Sequence, residues 1–399
     1  MKIVHFNTQE TGGAAAAAMR LNQSLVDLGH ESSLCILEKE SGQTRMQKAS
    51  GLVRPVLDRA LVKILAPRCD ALFSAALTPN GALRRTVADV IHLHWIGSGF
   101  LDIAALRGVR RPIVWTLHDM WPFTGGCFYD AGCGRFIGAC GCCPALRSAR
   151  ENDLSRRVFR RKEKAWNGVD LTLVAPSRWM AEEARRSALF RNRRIEVIPN
   201  CLDTALFKPV GKARAREILN LPQDRPLALF GAVNPRTEPR KGYDLLVKAL
   251  PELEKLSPRP EFLLFGEGSR GRREEGGSVW HSLGRLRDEV SLALAYNAAD
   301  VFVAPSLQEN LPNTVLEALS CGTPCVAFAI GGMPDLIVHQ ENGFLAEPFD
   351  AQALARGIAW VLSANGEALG RRGRAGVLEK HLPAEIGARH ALLYADLTR

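Results

Sequence analysis

The stretch Val301-Phe302-Val303-Ala304-Pro305-Ser306-Leu307-Gln308-Glu309-Asn310-Leu311-Pro312-Asn313-Thr314-Val315-Leu316-Glu317-Ala318-Leu319-Ser320-Cys321-Gly322-Thr323-Pro324-Cys325-Val326-Ala327-Phe328 reads as strand, loop, helix and strand. The two outer runs are short and continuously apolar, as strands covered on both faces are. Pro312 falls where a first helical residue is expected, and Gly322 marks the helix end. Two strands joined through a helix form a parallel unit, because a parallel crossover needs about a dozen residues.

The same alternation extends outward. On the N-terminal side lie strands at 226–231 and 261–266, with a helix at 243–256 between them. Earlier come Ile3-Val4-His5-Phe6, a helical pattern at 14–28, then Val90-Ile91-His92-Leu93-His94 and further strands at 112–117, 171–175 and 195–198. The last of these stops at Pro199-Asn200, and the pattern restarts. The fold class is therefore α/β, with two doubly wound parallel-sheet (Rossmann-like) domains, 1–198 and 199–383. The terminal helix, 384–399, is free to pack on either. Ligands in such sheets sit beyond the carboxyl ends of the strands, so those loops are where chemistry is expected.

With 399 residues, 46% hydrophobic and 24% charged, the chain has a globular composition large enough for two cores. The N-terminal apolar run ends within six residues at Asn7-Thr8-Gln9, unlike a signal peptide, and no stretch approaches a membrane span. A cytoplasmic protein, peripheral at most to the inner face of the membrane, is expected. The net charge of +10 suits phosphate-bearing partners, anionic lipid or nucleic acid. Much of it lies in 147–164, which reads either as a solvated helix face or as a docking surface. Basic residues are not interleaved with aromatics and no nucleic-acid module is present, so no nucleic-acid partner is expected.

Around the opening stretch, Glu309 precedes a helix N-terminus and Glu317 lies on its early flank. Backbone N–H groups and the positive helix end lie between them, a seat for phosphate or sugar oxygens. A carboxylate accepts two hydroxyl hydrogen bonds, which suits a ribose diol. Gly12-Gly13 opens the first helix with a flexible turn. His118 follows the strand at 113–117, where a side chain would project into a cleft. No Asp-x-Asp pair occurs, which removes the commonest way of holding a divalent ion on a diphosphate.

Five cysteines crowd between Cys127 and Cys143 in a Gly-rich loop. Cys127, Cys133, Cys140 and Cys143 could form a closed tetrathiolate zinc site, with Cys142 spare. Reduced free thiols, two disulfides or an iron–sulfur cluster are the alternatives.

The segment from Glu309 to Glu317, two glutamates with seven residues between them within Glu-Asn-Leu-Pro-Asn-Thr-Val-Leu-Glu, resembles the signature of glycosyltransferase family 4 (group 1), retaining enzymes with the GT-B fold. His5 to Gly13, His118-Asp119-Met120-Trp121, Pro199-Asn200, Arg240-Lys241-Gly242, Ala299-Asp300-Val301 and Gly331-Gly332-Met333-Pro334-Asp335 match in type and order. The resemblance implies transfer of a sugar from a nucleotide-sugar to a glycan or lipid-linked acceptor of cell-surface polysaccharide, in a cleft, with no catalytic metal. It makes His118 and Glu309 the catalytic candidates. Donor-binding residues would be Gly12, Gly13, Arg240, Lys241, Glu309, Asn310, Leu311, Asn313, Thr314 and Glu317. The family often has Arg directly after the glycine that ends the strand at 226–231. Here Ala232 stands there, so either Arg236 or Arg240 substitutes or one diphosphate contact is lost. A nucleotide-sugar epimerase of the same architecture would share the donor pocket and lack an acceptor, and a basic nucleic-acid-binding protein with a cysteine zinc site is the other alternative.

Overall fold

The computed structural model describes residues 1–38, 45–69, 72–76 and 82–399. They divide into two compact units: Met1–Asn200 with Pro383–Arg399, and Cys201–Leu382. Among them no helix is long and apolar enough to cross a membrane.

The first unit runs β1 (Lys2–Gln9), α1 (Gly13–Asp27), β2 (Glu31–Glu38), α2 (Arg45–Leu65), α3 (Ala82–Arg85), β3 (Val90–Leu93), β4 (Ile113–Thr116), α4 (Leu154–Trp166), β5 (Leu171–Ala175), α5 (Arg178–Arg186) and β6 (Ile195–Val197). Its sheet has the order β2-β1-β3-β4-β5-β6, parallel throughout. Every residue of β3, β4 and β5 is buried, which explains their unbroken apolar runs. The C-terminal helix Pro383–Leu397 belongs to this unit and packs on α1.

The second unit contains α6 (Lys212–Leu219), β7 (Leu227–Gly231), α7 (Tyr243–Leu253), β8 (Glu261–Phe265), β9 (Gly271–Glu275), β10 (Ser278–Gly284), α8 (Glu289–Ala298), β11 (Val301–Ala304), α9 (Asn313–Ser320), β12 (Cys325–Phe328), α10 (Met333–Leu336), β13 (Gly343–Ala346), α11 (Ala351–Ser363) and α12 (Gly366–Lys380). The terminal helix is α13. The sheet order is β13-β12-β11-β7-β8-β10-β9. Strands β7 and β11 are neighbours from which the chain winds in opposite directions, so a crevice opens at their carboxyl ends. Two separate apolar layers cover the faces of this sheet.

Three details depart from the sequence reading. Strand β9, Gly-Arg-Arg-Glu-Glu, is antiparallel to β10 and closes the edge through a two-residue Gly276-Gly277 turn with φ of 56° and 72°. Pro312 is the N-cap of α9 rather than its first helical residue, and the amides of Val315 and Leu316 both bond back to its carbonyl. The basic run at 147–164 is not uniformly solvated. Lys162 is fully buried, donates to the carbonyls of Trp121 and Thr124, and lies 3.7 Å above the Trp121 ring. Burial lowers its pKa to about 7.

Helix α12 packs on α9 through a glycine contact. A Cβ on Gly370 would stand 2.0 Å from the Gly322 carbonyl oxygen, whereas one on Gly376 would meet nothing within 4 Å. Gly370→Ala should therefore destabilise the protein by about 1–3 kcal/mol through overpacking. Gly376→Ala should stabilise it by up to about 1 kcal/mol through helix propensity. Chemical denaturation of both variants checks the pair, and equal shifts would contradict the close approach.

Candidate active site

In the second unit, the loops after β7 and β11 are laced together. Leu307 N–H donates to the Arg240 carbonyl at 2.8 Å, and the Arg240 guanidinium donates to the Gln308 carbonyl at 2.9 Å. One glycine permits this approach, and another lets the loop after β12 pack on the Glu309 backbone. Gly242, at φ 73°, would place a Cβ 1.8 Å from the Pro305 carbonyl oxygen, and Gly331, at φ 51°, would place one 1.9 Å from that of Glu309. No other residue type fits either position.

This lacing brings three charged groups together. Glu309 is buried; Lys241 Nζ lies 2.8 Å from its Oε1, and Arg240 pairs with its Oε2. Burial alone would raise the Glu309 pKa, but the charges and hydrogen bonds of Lys241 and Arg240 outweigh it, so the carboxyl is held below its ordinary range. A small pocket at the carboxyl ends of β7 and β11 is lined by Gly231, Ala232, Lys241, Ser306, Glu309 and Thr314. Of the two candidate arginines, Arg240 is the one that stands beside Glu309. Arg236 is committed elsewhere, to Glu267 at 3.2 Å and to Glu275.

Along α9, Glu317 is buried and accepts from the Tyr296 hydroxyl at 2.9 Å. Tyr296 was absent from the sequence expectations; it lies in α8, and only the packing of α8 on α9 pairs it with Glu317. Asn310 is buried, and Asn313 opens α9. The Leu311 side chain belongs to the apolar core, so only its backbone faces a polar ligand role.

The first unit carries the remaining candidates. Gly12, at φ 94°, is the N-cap of α1 and Gly13 its first residue. His118 stands two residues beyond β4, and its surroundings lower its pKa to about 4 through desolvation. Its Nε2 lies 2.9 Å from Nδ1 of His94, a contact absent from the sequence expectations. The His-Leu-His alternation at 92–94 was the available signal, because it puts both rings on one face of a strand.

The cysteine loop is also in this unit. Burial raises the thiol pKa values of Cys127, Cys133, Cys140 and Cys143, that of Cys140 to about 12. All ten cysteines are free thiols. Among the described residues, one group of three metal-ligating side chains has its ligand atoms within 4.8 Å of one another, and it is His5, His92 and His94. No three of the loop thiols meet that condition, so as placed they do not form a closed ligand set.

Residues 11–206 match the family model described as Glycosyltransferase Family 4, and residues 226–364 match that described as Glycosyl transferases group 1. The D-inositol 3-phosphate glycosyltransferase of Xylanimonas cellulosilytica is 34% identical over 296 residues, covering 70% of this chain and 64% of its own. The protein of that name from Segniliparus rotundus is 34% identical over 46% of this chain and 42% of its own. A phosphatidylinositol N-acetylglucosaminyltransferase chain of Arabidopsis thaliana is 32% identical over 43% and 37%. The chain thus spans 37% to 64% of the length of these relatives.

Among solved structures, sucrose-phosphate synthase from Thermosynechococcus elongatus superimposes with a TM-score of 0.70 at 21% identity, over 99% of this chain and 98% of that one. Anabaena Alr3699/HepE in complex with UDP and glucose gives 0.63 at 17% identity, over 99% of each chain. With both sheets matched in fold and two family models covering successive parts of the sequence, the chain belongs to the group 1 glycosyltransferases of family 4 and has the GT-B fold.

Proposed function

We propose that this protein is a retaining glycosyltransferase that moves a sugar from a nucleoside-diphosphate sugar to a glycan or lipid-linked acceptor of cell-surface polysaccharide. The observation that carries the reading is the buried Glu309 carboxylate clamped by Lys241 and Arg240 before the N-terminus of α9. An arriving donor brings a diphosphate for the two cations and hydroxyls for the carboxylate, so the pair is exchanged for stronger, charge-assisted contacts. The backbone of Asn310 and Leu311, with Asn313 and Thr314, would hold the rest of the sugar. Glu317, steadied by Tyr296, would hold the ribose. Gly12, Gly13 and His118 of the first unit complete the donor set on this reading.

As the glycosidic bond breaks, negative charge grows on the leaving diphosphate, and a fixed Lys241, Arg240 and helix end stabilise it there. The chain has no Asp-x-Asp pair, and this basic set performs the neutralisation a divalent ion would otherwise supply. The leaving diphosphate oxygen takes the acceptor's proton, so that attack occurs on the face the leaving group vacates and configuration is retained.

A UDP-sugar is the first donor to test, because a protein of like fold was solved with UDP and with UDP-glucose. In a thermal-shift screen of UDP-, GDP-, ADP- and dTDP-sugars, the UDP series should stabilise the protein. Lys241→Ala should weaken the affinity roughly 10- to 100-fold, the worth of one charge-assisted hydrogen bond. Glu317→Ala should abolish discrimination for the ribose diol. A folded protein stabilised by no nucleotide-sugar would sink the proposal.

A structural zinc at Cys127, Cys133, Cys140 and Cys143 is supported by the crowding of these four free thiols into one Gly-rich loop. Binding would have to draw the sulfurs together. Purified protein should carry about one zinc per chain, as fits a single tetrathiolate site, and Cys140→Ser should lose it. Metal-free protein with four titratable loop thiols would refute the site, and a visible-absorbing cluster would replace zinc with iron–sulfur.

Peripheral contact with anionic lipid is supported by Arg147, Arg150, Arg157, Arg160 and Lys164, which are exposed on and before α4. Flotation with phosphatidylglycerol vesicles should be strong at low salt and fall as salt is added. Protein left in solution at low salt would rule it out.

A further inference from the structure

Helix α2 has two apolar faces, and only one of them is used by the first unit. Its inner face is pinned. Asp58 is buried and its Oδ2 accepts from the Ser74 hydroxyl at 2.6 Å, and Arg54 Nε donates to the Gly99 carbonyl at 2.9 Å. Val62, with Ala66 just past the helix, belongs to the core of the unit. Yet Val53, Val56, Leu57 and Ile64 are 52%, 63%, 47% and 75% exposed. At 3.6 residues per turn these four, with exposed Ala60 among them, fall within one arc of about 100°. Buried Pro55, Asp58 and Val62 lie opposite. The outer stripe is therefore a second face, and the helix cannot roll to bury both.

The charge around the stripe says what covers it. Arg59 and Lys63 border it along one edge, and Arg68 lies just beyond the helix end, all three exposed. Between Val53 and Leu65 the one acid is Asp58, which is sealed beneath the helix. An outer face that is apolar and cationic, with no anion, suits the boundary of an anionic bilayer. There apolar side chains enter the acyl region while basic ones stay among the headgroup phosphates. A second copy of the chain fits less well, because two-fold pairing through this stripe would face Arg59 and Lys63 of one copy with those of the other. Helix α2 has 21 residues, but among the described residues no helix is long and apolar enough to cross a membrane. That leaves a position in the plane of the surface.

We infer that α2 is an interfacial anchor that lies in an anionic membrane surface with Val53, Val56, Leu57 and Ile64 below the headgroups. This goes beyond the lipid contact argued for α4, which is charge alone, since the large apolar side chains of that helix are buried. Both helices grip the same stretch of chain, α2 through Ser74 and α4 through Arg161, which donates to the Ala75 carbonyl at 3.4 Å. The two contacts differ in what salt does to them. Screening weakens a charge contact and leaves buried apolar area in place.

The test is flotation of the full chain with phosphatidylcholine vesicles, with and without phosphatidylglycerol. Binding takes place at low salt, and salt is then raised to about 1 M, where charges are screened beyond about 3 Å. A fraction of the protein should stay on the phosphatidylglycerol vesicles, and amide hydrogen exchange across residues 53–65 should slow when those vesicles are present. Val56→Asp combined with Ile64→Asp should cut the salt-resistant fraction roughly 10-fold or more, because the apolar area that enters lipid is lost. Both positions are exposed, so circular dichroism should show an unchanged fold. Arg157→Glu with Arg160→Glu on α4 should lower binding at low salt and spare the salt-resistant fraction. Complete release of the unsubstituted protein at high salt overturns the inference and leaves the α4 contact standing. A salt-resistant fraction that survives Val56→Asp with Ile64→Asp also overturns it. So does a dimer in vesicle-free solution that the same pair of substitutions splits, which would assign the stripe to a second copy.

Discussion

A carboxylate taken out of water must be given charge in return, and Glu309 sets the terms for the second unit. Leaving it unpaired in its buried position would cost several kcal/mol. The loop after β7 supplies the compensation, yet Arg240 and Lys241 are 69 and 68 residues away in sequence. Bringing them in demands that the backbones after β7 and β11 touch, and the contact is possible only because Gly242 presents no side chain. The order of the sheet follows the same requirement, since β7 and β11 must be neighbours for their loops to meet. Charge, glycine placement and strand order are thus one constraint expressed three times.

The parts of this arrangement that were legible in sequence are those whose physics is local. The unit from β11 to β12 could be read because its strands are buried on both faces and its helix is bounded by Pro312 and Gly322. Strand β9 could not, because an edge strand of Gly-Arg-Arg-Glu-Glu lacks any apolar run. Its Gly276-Gly277 turn was the one signal present. Lys162 was read with its basic neighbours, since nothing local distinguishes a lysine that snorkels from one sealed over Trp121. Spacing placed Glu309 and Glu317 on one helix end, but pairing Glu309 with Arg240 rather than Arg236 needed the fold, because Glu267 and Glu275 claim the other arginine. The link from His118 through His94 to His5 depends on strand register, which no single segment encodes.

The zinc expectation shows the same boundary from another side. Cysteine spacing is local information, and it gathered four thiols into one loop. Whether sulfurs reach ligand distance depends on how the loop is pinned. Here Cys143 N–H is held by Asp153 at 2.8 Å and Gly141 N–H by Ser155 at 3.0 Å, so helix α4 fixes the second half of the loop. The first half is anchored separately, through Thr124 accepting the Gly126 N–H and donating to the Cys127 carbonyl. Two halves held by different elements close on a common point only if something draws them together, and spacing alone does not say what does.

The two units treat buried polarity in opposite ways. The second keeps full charges at its strand ends and pairs them, so the site is primed for a ligand that is itself charged and can trade partners without stranding an ion. The first keeps its strand ends polar and neutral. His5, His92, His94 and His118 are packed as near-parallel rings, and a proton added to any of them would be both desolvated and repelled by its neighbours. Such a surface orients a hydroxyl well and binds an anion poorly. The contrast follows from which groups each sheet buries, full charges paired in one and neutral rings in the other.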